Sequence, residues 1–187
     1  LQQPNAILFD IQADQREAVV ATVKSEGFPV LDMAPIVTMR IASLKGRTAE
    51  SLLAETNNPI PGWTLRREYR STFRSKLVES ERLIAGRFVA KASEAEGPVP
   101  ITVESVIARD LGLSVGDAIT FDVQGVPMET RVAGLREVDW KQVRPNFFVV
   151  FPEGVLESAP AMTVLATRVV DAAASARLQR SLVARFP

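Results

Sequence analysis

A strand followed by an acid-capped helix stands at both ends of this 187-residue chain, and that echo constrains its fold more than any other feature. At the start, Ala6-Ile7-Leu8-Phe9-Asp10-Ile11 is a β-type run ending in polar Gln12. Asp14 then predicts a helix N-cap, with Glu17 completing a capping box, Val19, Val20 and Val23 forming the apolar stripe, and Gly27 as the C′ residue. Near the end, Met162 to Thr167 repeats the strand, Asp171 repeats the cap, and Ala174, Leu178 and Leu182 recur at helical spacing with Val183 beside them. Leu8 and Asp14 match Leu165 and Asp171 in separation. Two such units can share one sheet with both helices on one face, as in split βαβ folds.

The chain between these ends has a different texture. Ala34 to Ile41 predicts a second strand broken at Pro35, Arg47 to Ala54 a short helix, and Asn57 to Gly62 a loop. From Leu65 to Phe73 alternation predicts a half-buried strand, with Leu65, Tyr69 and Phe73 inward and Arg66, Glu68, Arg70, Thr72 and Arg74 outward. Thr102 is expected to cap a helix over Val103 to Leu111, stopped by Gly112. Gly116-Asp117 and Gln124-Gly125 turn the chain through a hairpin of Ala118 to Val123 and Met128 to Val138, and Phe147 to Phe151 is the next strand. The expected class is α+β. Residues 1–45 and 151–187 form an outer α/β layer, and 46–150 form a β-rich insertion.

Composition narrows function by exclusion. The chain contains neither Cys nor His. Thiol nucleophiles, disulfides, Ser-His-Asp triads and thiolate or imidazole metal sites are therefore closed to it. Lys and Arg equal Asp and Glu at 22 each, so no net field draws it to a phosphate backbone, and nucleic acid is not the expected partner. No glycine-rich strand-to-helix loop offers a phosphate cradle, and no apolar run is long enough to span a bilayer. No catalytic residue, cofactor site or metal site is expected. Glu79, Glu81, Glu104 and Asp110 read as surface carboxylates, and Ser43 with Lys45 as neighbours on a strand face.

The candidate contact residues are Trp63, Arg66, Arg70, Arg74 and Trp140. Arg66, Arg70 and Arg74, on one strand face, are either a surface for an anionic head group or partner, or a solvated face interleaved with Glu68. Trp63 and Trp140, placed beside loops, suit a protein partner or a lipid surface. Phe147 and Phe148 suit either such a contact or, at least as well, the core.

Several stretches resemble the extracytoplasmic, MacB-like periplasmic core domain of FtsX-like ABC transporter permeases, in the YbbP-like branch. They run from Pro4 to Gln12, from Pro35 to Gly46, through Arg67-Glu68-Tyr69 and Gly86-Arg87-Phe88, and on through Ala108 to Asp117, Arg136 to Trp140 and Arg144 to Phe148. The resemblance implies a porter-type layer built from both chain ends with a sabre-like insertion. It implies transmembrane helices outside these residues, a cytoplasmic ATP-binding subunit as partner, and a location on the periplasmic side of the bacterial inner membrane. It further implies a non-catalytic role in moving a lipoprotein, peptide or lipid, or in contacting envelope partners. A stand-alone extracytoplasmic module that binds a peptide or lipid is the alternative.

Overall fold

A computed structural model describes residues 2–187. The first elements in chain order are strand β1 (Ala6–Ile11), helix α1 (Arg16–Ser25), strands β2 (Asp32–Leu44) and β3 (Arg47–Thr48), and helices α2 (Ala49–Ala54) and α3 (Gly62–Arg66). Strands β4 (Tyr69–Phe73), β5 (Glu81–Gly86) and β6 (Val99–Glu104) follow, then helix α4 (Ser105–Asp110). Strands β7 (Ala118–Val123), β8 (Val126–Val138), β9 (Val149–Phe151) and β10 (Met162–Thr167) lead to helix α5 (Ala172–Arg185). The fold is mixed α/β. It divides into two compact units, one of 2–36, 140–145 and 161–187, the other of 37–139 and 146–160.

In the first unit the two chain ends share a sheet. β10 lies between its neighbours, antiparallel to β1 on one side and to the start of β2 on the other, with Leu8 opposite Leu165 and Leu165 opposite Met33. β1 and β2 are therefore parallel with a strand between them, the split arrangement that a β–α–β connection produces. Both long helices pack on one face of that sheet. Val19 and Val23 of α1 join Ala174 and Leu178 of α5 over Ile11, Phe28 and Leu165 in a single apolar cluster. Burying such side chains stabilises by about 1.5–3 kcal/mol each.

The two helices are capped differently. Asp171 Oδ1 accepts from Ala174 N at 2.7 Å, as its position predicted. Asp14 does not cap α1; it sits in the preceding turn, and Gln15 occupies the N-cap position without a side-chain bond. At the other end of α1, Gly27 takes a φ of 88° and its N–H donates to Lys24 O, while Phe28 N–H reaches back to Val23 O. This is the paired closure that favours glycine at C′.

The second unit is a six-stranded barrel. The later residues of β2 pair with β4, β4 with β9, β9 with β6, β6 with β8, β8 with β7, and β7 with β2 again, so the ring of ladders closes. Closure leaves no open edge within the ring. Met39, Tyr69, Ile101, Phe121 and Phe151 are buried in this unit. Tyr69 stands edge-on to Phe121, centroids 6.4 Å apart. The β7–β8 turn is the two-residue kind, Gln124 and Gly125 both at positive φ (52° and 96°), which matches the twist of the flanking strands.

Four local expectations give way. β2 runs unbroken through Pro35, next to the point where its partner changes from β10 to β4. The predicted strand Leu65–Phe73 is only Tyr69–Phe73, because Gly62–Arg66 closes into a helix after Pro61. Thr102 is mid-strand in β6, and the cap of the following helix is Glu104. β9 begins at Val149, not Phe147.

Candidate functional site

The three arginines predicted to share one strand face do not. Arg66 closes α3, where its guanidinium folds back over Gly62 and its carbonyl accepts from Arg40 Nη1 at 2.6 Å. Arg70 is exposed on β4, opposite Thr38. Arg74, just past β4, turns inward, its Nη2 2.5 Å from Glu81 Oε2. The strand reading failed because Leu65 and Arg66 are helical, so the alternation began four residues too early.

Glu81 and Glu104, expected at the surface, are both buried, the latter at 2% exposure. Glu81 sits between two guanidinium groups. Arg136, fully buried on β8, donates from Nη1 to Glu81 Oε2 at 2.5 Å and from Nε to Thr102 Oγ1 at 2.8 Å. Its Nη2 donates to the carbonyls of Phe147 and Phe148 at 3.0 and 2.9 Å. One side chain thus ties β5, β6, β8 and the approach to β9. Burial pushes the Arg136 pKa down to about 10 against the pull of Glu81, so the group stays charged at neutral pH. Glu104 accepts from Val106 N at 2.7 Å and Ile107 N at 3.0 Å, using its charge on the free amides that open α4. The signal that betrays this network is periodicity. Arg136 follows Thr130 and Val132 at the inward positions of a strand, and an inward cation needs a carboxylate.

Trp63 and Trp140 are exposed, at 51% and 48%. Trp63, on α3, belongs to an aromatic–cationic cluster that sequence reasoning missed. The Arg67 guanidinium lies 5.8 Å from the Trp63 ring centre, 5.1 Å from that of Tyr69 and 4.7 Å from that of Phe148. A cation held over ring faces is attracted by their quadrupoles. Tyr69 donates its hydroxyl to Thr64 O at 2.7 Å, and burial pushes its pKa well above the ordinary value, with the Arg67 charge opposing. Trp140 belongs to the first unit, in the 140–145 segment. Among the described residues, no group of three His, Cys, Asp or Glu side chains is placed to hold a metal ion, and no helix is long and apolar enough to cross a membrane. In the Arg67 cluster Trp63 is exposed and Tyr69 buried, and the Arg136–Glu81 pair is fully buried.

Comparison with known proteins gives the class to which the chain is similar, that of ABC transporter permeases. The particular relative is the uncharacterized ABC transporter permease YbbP of Escherichia coli (strain K12), 27% identical over 159 residues. The match takes in 85% of this chain and 18% of that protein, so the chain spans under a fifth of the relative's length. The resemblance to a YbbP-like ABC transporter permease read from the sequence is thereby borne out. No family model matches the chain. A solved domain assigned to a permease protein of Porphyromonas gingivalis aligns over 95% of this chain and 76% of its own, at 10% identity and a TM-score of 0.40.

Proposed function

We propose that this chain is a non-catalytic, extracytoplasmic domain of an FtsX-like ABC transporter permease. The observation that carries the reading is the continuous similarity to one permease over 85% of the chain. In this reading residues 1–45 and 151–187 are the porter-like layer and 46–150 the sabre-like insertion. The pairing of β1 with β10 and of β10 with β2, under two helices on one face, supports a layer drawn from both ends. The domain contacts a lipoprotein, peptide or lipid substrate, or an envelope partner. ATP hydrolysis by a separate cytoplasmic subunit drives it through transmembrane helices of the intact protein. Trp63, Arg66, Arg70 and Trp140 are the exposed side chains proposed for partner contact. Arg74 leaves that set, since it faces Glu81.

Affinity purification of the intact, detergent-solubilised protein tests this. Co-purification of an ABC ATPase subunit, with ATP hydrolysis in reconstituted membranes, is the expected result. Recovery from the soluble fraction with no ATPase attached would refute it and favour the stand-alone binding module.

A further inference from the structure

The barrel unit carries a cleft of about 540 Å³. That volume lies within the range of small-molecule sites. One wall is the extended segment that follows β5. Arg87, Val89 and Lys91 of that segment all line the cleft. Arg131 of β8 supplies a third cation, its Nη1 donating to Gly116 O at 3.0 Å. None of the ion pairs among the described residues engages Arg87, Lys91 or Arg131, and Glu96 is the single acidic side chain in the lining. The floor is apolar, with Pro98, Pro100 and Val115.

The cationic wall is pinned at both ends. Arg87 N donates to Ala133 O at 2.9 Å where Gly86 and Gly134 let the two backbones meet. A Cβ on Gly86 would stand 2.1 Å from Ala133 O, and one on Gly134 would stand 2.5 Å from Arg87 O. At the far end Glu153 N donates to Ala90 O and Ala92 N to Glu153 O, both at 3.0 Å. Gly154 lies so close to that end that an added Cβ would meet Ala92 O at 2.3 Å. The wall is fixed by backbone bonds while its cations have no carboxylate to satisfy them.

We infer that this cleft binds a small anionic amphiphile, a carboxylate or phosphate carried on a short apolar stem, with Arg87, Lys91 and Arg131 on the charge and the proline and valine floor under the stem. The test is a titration of the ¹⁵N-labelled chain with hexyl phosphate and hexanoate, with hexanol and inorganic phosphate as comparisons, read by amide shifts. Saturable shifts at Gly116, Val132 and Ala133 with hexyl phosphate or hexanoate, and none with hexanol, are expected. Arg87→Gln, Lys91→Gln and Arg131→Gln each weaken binding by about two- to fivefold, and the triple variant by more than tenfold, as partly exposed charge contacts do. All three side chains are exposed, so folding is retained, and Arg82→Gln, outside the cleft, leaves the affinity unchanged. Competition by phosphatidylglycerol vesicles would mark the anion as a lipid head group, and its absence would mark a soluble molecule; the site stands in both cases. Equal binding of hexanol or of inorganic phosphate, shifts elsewhere, or an unaltered triple variant would overturn the inference. Binding to the chain alone reports on the cleft, so a permease role that failed in cells would not touch it.

Discussion

Replacing Glu81 by Gln keeps the shape of the side chain and removes its charge. In the folded protein that carboxylate is fully buried, and Arg74 Nη2 and Arg136 Nη1 both lie 2.5 Å from its Oε2. The variant leaves two guanidinium groups facing one another, one of them with no access to water. Breaking a buried pair in this way costs roughly 3–5 kcal/mol, far more than the pair's net worth against an apolar replacement. For a chain of this length each kcal/mol moves the melting midpoint by about 2–4 °C, so a fall of about 6–20 °C is expected. Urea denaturation followed by Trp63 fluorescence in a Trp140→Phe background reads the barrel unit alone. The cycle is completed by Glu81→Leu with Arg136→Met. There the buried charge is gone, Arg74, still 16% exposed, can turn to solvent, and the double variant should be less destabilised than the two single ones summed. A Glu81→Gln protein within about 0.5 kcal/mol of wild type would refute the reasoning, because surface substitutions behave that way and buried ion pairs do not.

Other expectations are smaller. Asp171→Ala should cost about 0.5–2 kcal/mol by uncapping α5, while Asp14→Ala should be neutral, since Asp14 caps nothing; thermal melts of both would show it. Glu104→Ala removes two bonds at the start of α4 together with a buried charge, and should cost at least about 1–2 kcal/mol in urea titration. Gly86→Ala meets both a clash with Ala133 O and a φ of 67°, so a loss of about 1–3 kcal/mol is expected, whereas Gly125→Ala, with nothing near its Cβ, suffers only the backbone term. The folded-state pKa of Tyr69 is raised above its ordinary 10.0, so its stabilising contribution is whole below pH 10.0 and declines above it. The advantage of wild type over Tyr69→Phe should shrink as denaturation is repeated at rising alkaline pH.

The chain ends were legible because their signals are local. Met162–Thr167 and Asp171 stand where the sequence placed them, since a β run and an N-cap need only their neighbours. The matching signal at Asp14 misled because Ala13, Asp14 and Gln15 close a turn before the helix begins. In the barrel, short elements were misjudged. A five-residue helix at Gly62–Arg66 follows Pro61 and overrides an alternation of Leu65 with Arg66 that suits a strand equally well. Buried charge was legible from one side only, since the alternation of β8 puts Arg136 inward but does not name its partner. Nothing adjacent to Glu81 in sequence reveals Arg136, its partner 55 residues away across the β5–β8 ladder. The barrel closure was equally hidden, because β4 meets β9 and β6 meets β9 only through distant pairings.

The absence of cysteine from the chain makes the permease reading open to direct labelling. Val126 and Val170, exposed in the barrel and layer units respectively, can each be replaced by Cys in the intact protein and treated with a membrane-impermeant maleimide on spheroplasts. An extracytoplasmic permease domain predicts labelling at both positions without lysis, above that of the unsubstituted protein. Labelling only after the membrane is broken would put the domain in the cytoplasm and contradict it.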